Sequence, residues 1–258
     1  MENFSLEALN QRMKRLQDSP EYRANCQRFS QECARLQAIA QDLYVRKEEL
    51  QAHCEAATVR KEYASGSTLH RGLYCPSPTY DIIVGNTKRG KLLKHHTALS
   101  NPSHEYGFDA DGKLLYCKWF SKKSVVMLEY LVYSENVVYG ILLDTDGGIS
   151  VVTEETYANN KLVQYLHGLC IPSGNSFHCQ EIDCEEYEYD AEGLCCCQMH
   201  NLLLPQQDPP DFLKNVILPF MRHPIYRGSS YLFERTDGYL SGYTCDQHTY
   251  RVRIRRKA

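Results

Sequence analysis

The chain has 258 residues, 43% of them hydrophobic, with 29 basic against 32 acidic side chains. That length suits one large domain, or a medium domain with an added element. The near-balance of charge excludes a molecule that binds nucleic acid through its bulk charge, and no apolar run of about eighteen residues predicts a membrane span. The opening MENFSLEALNQRMKRLQ has no apolar signal-peptide core. Twelve cysteines, three of them adjacent at Cys195, Cys196 and Cys197, are therefore expected as reduced, mostly buried thiols of a cytoplasmic protein.

The first part of the chain reads as helix. Ser19-Pro20-Glu21 supplies a hydroxyl N-cap, a proline at the first helical position and an acid in the first turn. Apolar residues then fall at Tyr22, Cys26, Phe29, Cys33, Leu36, Ala40, Leu43, Leu50 and Cys54, in alternating steps broken once near Lys47. One helix from Ser19 to Tyr63 would make a rod of roughly 65 Å. Leu6, Leu9, Met13 and Leu16 predict a shorter helix before it. Such a stripe serves a coiled-coil homodimer or docking arm, or else a helical hairpin that caps a sheet in the same chain. Ala64-Ser65-Gly66-Ser67 closes this part, giving a helical region over 1–65 and a second domain over 66–258.

Beyond that point the period changes. TYDIIVG, KLLKHHT, LLYCKWF, VVMLEYLVY, VVYGILLD, ISVVT, KLVQYLHGL, EYEYD, LCCCQMH, SYLFE, YLSGYT and YRVRIRR are short, β-branched and aromatic. Turn residues separate them at Lys88-Arg89-Gly90, Asp111-Gly112, Glu135-Asn136, Asp146-Gly147, Asn159-Asn160, Glu192-Gly193 and Asp237-Gly238. Successive hairpins make an antiparallel meander, rich in the chain's 19 tyrosines. Asp208-Pro209-Pro210-Asp211, followed by Phe212, Leu213, Val216, Ile217 and Phe220 and stopped at His223-Pro224, predicts one inserted helix near 209–222. The expected fold class is α+β: an N-terminal helical hairpin or long helix, then an extended antiparallel β-meander with one inserted helix.

Four turns share a pattern. Tyr106-Gly107-Phe108-Asp109-Ala110-Asp111-Gly112-Lys113-Leu114 has two large residues on one strand face, an aspartate able to bond the turn backbone, and a glycine for positive φ. The stretches Ile141 to Ile149, Tyr187 to Leu194 and Tyr231 to Leu240 repeat it with variations. This pattern resembles the YD repeat of Rhs and teneurin-type proteins, whose many copies form a sheet that winds into a shell. The resemblance implies a tyrosine-rich meander here, since the chain is too short to enclose a shell. YD-like meanders also occur in small proteins beside bacterial polymorphic toxins, so it further implies an immunity-type role.

Charge is unevenly placed. Residues 125–200 carry one basic residue, Lys161, against thirteen acidic ones, while the flanks 64–124 and 201–258 are each net basic. Seven acids lie between Glu181 and Glu192. By strand alternation Ile182, Cys184, Glu186, Glu188 and Asp190 share one face, and Glu181, Asp183, Glu185, Tyr187 and Tyr189 the other. Like charges facing one another on a sheet are destabilising. Their concentration points to a basic protein partner, such as a toxin, met through electrostatic steering. The predicted partner-binding set is Glu181, Asp183, Glu185, Glu186, Tyr187, Glu188, Tyr189, Asp190 and Glu192, with Glu154 and Glu155. A plainer use is internal pairing with basic flanks such as Arg251, Arg253, Arg255 and Arg256, whose alternation with Val252 and Ile254 suits an edge strand.

Catalytic motifs are missing from the sequence. His178, Cys179, Cys184, Cys195, Cys197 and His200 lie near one another but lack a C-x₂-C knuckle, so neither a metal nor another cofactor is expected. Asp109-Ala110-Asp111-Gly112 and Asp144-Thr145-Asp146-Gly147 lack the closing glutamate of a calcium loop. The leading expectation is a non-enzymatic protein-binding module. The alternative is a phosphate-handling enzyme or nucleic-acid binder using the basic region 71–123, with Lys91, Lys94, His95, His96 and His104. A third reading is a structural or secretion-linked protein that assembles through its N-terminal helix.

Overall fold

A computed structural model describes residues 6–84, 87–95, 101–122, 124–173, 176–205 and 223–257. The inserted helix expected over 209–222 lies outside these residues. Three helices open the chain: α1 (Leu6–Asp18), α2 (Pro20–Val45) and α3 (Lys47–Ala57). The strands are β1 (Arg60–Ser65), β2 (Lys91–Leu92), β3 (His104–Phe108), β4 (Leu114–Ser121), β5 (Ser124–Ser134), β6 (Val137–Asp144) and β7 (Ile149–Ala158). They continue with β8 (Lys161–Ser173), β9 (Ser176–Asp190), β10 (Gly193–Leu203), β11 (Ile225–Thr236), β12 (Tyr239–Cys245) and β13 (His248–Lys257). Between β1 and β2 lie a 3₁₀ turn, Gly72–Tyr74, and the one-turn helix α4 (Tyr80–Ile83).

All thirteen strands join one antiparallel sheet in the order β13-β12-β11-β10-β9-β8-β7-β6-β5-β4-β3-β1-β2, a meander from β3 onward. The Asp-Gly turns behave as their composition requires. Asp109 Oδ1 accepts from the N–H of Asp111 and Lys113, and Asp144 Oδ1 from Asp146 and Gly148. Asp190 Oδ1 accepts from Glu192 and Gly193, closing the third copy of the same device. Gly112, Gly147 and Gly238 take the positive φ expected of them, at 82°, 76° and 75°.

One sheet face is built for α2. A cross-strand row runs Tyr116, Tyr130, Ile141, Val152, Gly168, Ile182, Leu202 and Tyr226, one residue from each of β4 to β11. Phe29, Cys33, Leu36, Ala40 and Leu43 of α2 pack into the core that this row forms. Phe29, Leu36 and Leu43 each contribute about 1.5–3 kcal/mol of burial. Gly168 lets the helix approach, since a Cβ there would stand 3.3 Å from Leu36 and 3.1 Å from Val152. At the β11 end the Tyr22 hydroxyl donates to the Pro224 carbonyl and accepts from the Tyr226 amide, each at 3.1 Å.

Several expectations change. The single rod breaks at Arg46, with φ −98° and ψ 15°, where the apolar stripe also lapses. The stripe that would seam a coiled coil is buried against the chain's own sheet, so the helix caps that sheet instead. The helical region ends at Ala57, and residues 60–65 form a strand between β2 and β3. Within TYDIIVG, Tyr80–Ile83 form a helical turn rather than a strand, and Ile82 and Ile83 both turn onto the aromatic cluster of the sheet's second face. Of the described residues 91–95 in KLLKHHT, Lys91–Leu92 join the sheet. The twelve cysteines are all free thiols.

Candidate functional site

The second sheet face is covered by residues 67–84 and 87–89, and its centre is Arg71. This arginine sits in the left-handed region at φ 53° and is only 2% exposed. Its guanidinium donates to Glu129 Oε1 and Thr153 Oγ1, both at 2.7 Å, and also pairs with Glu155. Gly140, inside β6, makes room: a Cβ there would collide with the Thr153 hydroxyl, Glu129 Oε1 and the guanidinium itself. A glycine within an apolar strand is a mark of close approach, and here the approaching group is a buried cation. Burial alone would raise the Glu129 pKa, but Arg71 and then His70 more than reverse that and hold it well below the carboxylate range.

Beside Arg71 lies a cavity of about 170 Å³, lined among others by His70, Ser77, Tyr165, His167, Asp183 and Glu185. Sheet register brings these together. Thr153, His167, Asp183 and Asn201 form one cross-strand row, and Glu155, Tyr165, Glu185 and Met199 the next. His70 Nδ1 lies 3.0 Å from the Tyr165 hydroxyl, and its Nε2 lies 3.0 Å from Glu129 Oε2 but off the ring N–H direction. Burial, then the neighbouring His70, lowers the His167 pKa to about 4.

Glu185 is 3% exposed. Its Oε2 accepts from Ser77 Oγ at 2.7 Å, Thr79 Oγ1 at 3.1 Å and the Tyr187 hydroxyl at 2.5 Å. Burial still raises its pKa, and Asp183 adds to that against the three hydroxyls. Asp183 keeps 49% of its side chain exposed, at the cavity edge. Its pKa is raised by burial and by Glu181, with the Asn201 amide opposing. Ser77 also caps the α4 turn, accepting from the amides of Thr79 and Tyr80. Arg89 ties this segment to itself through the carbonyls of Cys75 and Ser77 and through Asp81.

The predicted partner-binding residues divide between the two faces. Glu154 and Glu186 turn toward α2, where Arg35 pairs with Glu154 and Arg28 with Glu186. His200, then Arg28, hold Glu186 down at about 2. Glu155, Glu185 and Tyr187 turn to the Arg71 side and are buried there. Tyr189, on that same side, donates to the Leu162 carbonyl at 2.9 Å. Glu181 and Asp183 both accept from the Asn201 amide, at 2.7 and 2.8 Å. Glu188 is exposed, while Asp190 and Glu192 at the hairpin tip pair with Arg235 at 3.0 and 3.1 Å. The acids thus meet Arg28, Arg35, Arg71 and Arg235, whereas Arg251 is exposed and the side chains of 253–257 lie outside the description.

The basic region 71–123 is dispersed. Arg71 and Arg89 are internal, and His104 is 3% exposed, with burial lowering its pKa to about 4. Lys91, Lys94 and His95 are exposed on and beside β2, none of them lines the cavity, and His96 lies outside the described residues. The cysteine–histidine group also separates. Cys179 and Cys184 are in the core under α2, Cys197 belongs to the opposite face, and His200 bonds Glu186 and Tyr226. Sequence reasoning passed over His70, Glu129, Tyr165 and His167; the one signal available was Gly140, a glycine with no turn to serve.

A scan against protein-family models finds none that matches the chain. A search of curated proteins likewise finds no match.

Proposed function

We propose that the protein is a non-enzymatic protein-binding module that receives a basic protein at the β9–β10 hairpin. The observation that carries this reading is the state of the hairpin's carboxylates. Asp183, Asp190 and Glu192 keep 49%, 50% and 79% of their side chains exposed, and Arg235 answers the last two. Glu188 between them is also exposed. Clustered exposed carboxylates accelerate encounter with a basic partner and disfavour an acidic one. In its finer form, drawn from the YD-like turns, the partner is a toxin and the module an immunity-type inhibitor.

A phosphate-handling reading has less to support it, because among the described residues the cavity presents two carboxyl groups and no lysine or arginine. The test is affinity capture on the full chain at low salt, elution at high salt, and mass spectrometry. It is run beside a Glu188→Lys/Glu192→Lys variant. The expected result is a basic protein held by the native chain, released by salt and lost with the variant. Equal retention by the variant would overturn the assignment to this hairpin.

A further inference from the structure

The Arg71 side of the sheet holds more buried carboxyl groups than cations. Among the described residues, Arg71 and Arg89 stand against the buried Asp81, Glu129, Glu155 and Glu185, with the half-exposed Asp183 at the cavity edge. Counting arginines against carboxyls, the group has two cations for five acids. Arg71 is shared by two of them, and Arg89 is taken by Asp81. Glu129 Oε2, fully buried, has only the misaligned His70 Nε2 beside it. Uncompensated buried charge is costly, and the two carboxyls that no arginine of this group meets, Asp183 and Glu185, line an open cavity rather than a filled core.

The cavity walls suit one kind of guest. Asp183 and Glu185 are two apart on β9, so their side chains leave the same face roughly 7 Å apart. Tyr80 and Tyr165 bring aromatic rings to the same space. Thr87 adds a buried hydroxyl without a partner. A planar guanidinium can bond two carboxylates through its fork and lie against an aromatic ring, which a compact ammonium does less well. An anion would face two carboxyls and find no lysine or arginine among the described lining residues.

We propose that this cavity is a receptor for a single arginine side chain presented by the basic partner, with Asp183 at the mouth and Glu185 at the floor. The inference rests on the protein-binding reading above and adds the group that anchors the partner. Occupation supplies the missing positive charge and leaves the Arg71 network in place.

The test uses N-acetyl-arginine amide as the probe on the full chain. Binding is followed by calorimetry and by amide shifts of Tyr165, His167, Asp183 and Glu185, with the citrulline and lysine analogues as controls. The expected result is saturable arginine binding at these residues and none for citrulline. Glu185→Gln should weaken it about tenfold or more and Asp183→Asn several-fold, the scale of a lost charge-assisted contact. Asp183→Asn changes a half-exposed group, so it remains informative if Glu185→Gln fails to fold. Absence of arginine binding, while partner capture stays sensitive to Glu188→Lys/Glu192→Lys, would overturn the cavity assignment and leave the protein-binding reading standing. Arginine binding at the cavity with capture insensitive to the hairpin variant would sustain the cavity and overturn the hairpin. Equal binding of the citrulline or lysine analogue would overturn the arginine assignment.

Discussion

Arg71→Met removes the one cation that two buried carboxyls share. The native guanidinium makes two ion pairs and bonds the Thr153 hydroxyl, and its neighbours Glu129 and Glu155 are 0% and 5% exposed. Methionine fills much of the space but leaves those carboxyls unpaired. Breaking a buried pair from one side costs about 3–5 kcal/mol, which for a domain of this size lowers Tm by roughly 6–20 °C. The pH dependence identifies the cause. In the native protein Glu129 titrates below its unfolded value, so it stabilises the fold above about pH 4.3 and loses that contribution as pH falls further. In the variant burial acts on Glu129 without Arg71 to oppose it, and its folded pKa rises above the unfolded one. The variant should therefore recover relative to the native chain as pH drops from about 7 to 5. Urea unfolding followed by circular dichroism at both pH values measures this. A loss below about 1 kcal/mol, or one that does not shrink with falling pH, would refute the account of Arg71 as the clamp between its own segment and the sheet.

Four further outcomes are expected. Gly140→Ala should cost about 1–3 kcal/mol by overpacking the guanidinium site, and the same chemical-denaturation assay reads it. Leu36→Ala should cost about 2–5 kcal/mol without changing the sedimentation behaviour, because that leucine packs on the chain's own sheet; a shift in oligomeric state would count against this. His104 and His167 have folded pKa values near 4, below the ordinary value of 6.5, so the unfolded chain takes up protons first and stability falls between those values. Replacing His104 by leucine should flatten that fall, and an unchanged slope would remove His104 from the explanation. Glu188→Lys/Glu192→Lys should leave Tm nearly unchanged, since these are exposed positions, while reversing the charge that steers a basic partner.

Much of the local structure was legible in the sequence. Ser19-Pro20-Glu21 starts α2 where it should, because a cap, a fixed φ and a first-turn acid act within a few residues of one another. The Asp-Gly turns were equally legible, since one aspartate oxygen closes each turn on its own backbone. Alternation also placed Ile182, Cys184 and Glu186 on one face of β9 and Asp183, Glu185 and Tyr187 on the other. Strand period fixes sides without naming what covers each side.

That second decision belongs to contacts between distant parts of the chain. Glu185 looked like a surface acid until the segment carrying Ser77 and Thr79 folded over it and brought these residues, 108 and 106 positions away, to its Oε2. Glu154 and Glu186 looked alike in sequence until α2 supplied Arg35 and Arg28. TYDIIVG has strand composition, yet Tyr80–Ile83 within it form a helical turn that packs on the sheet. The amino-acid order by itself determined where α2 starts, the Asp-Gly hairpins and the strand alternation, because those depend on near neighbours and backbone sterics. Tertiary structure alone decided which carboxyls are neutralised, which remain exposed and where a cavity opens, because burial and charge pairing depend on distance in space.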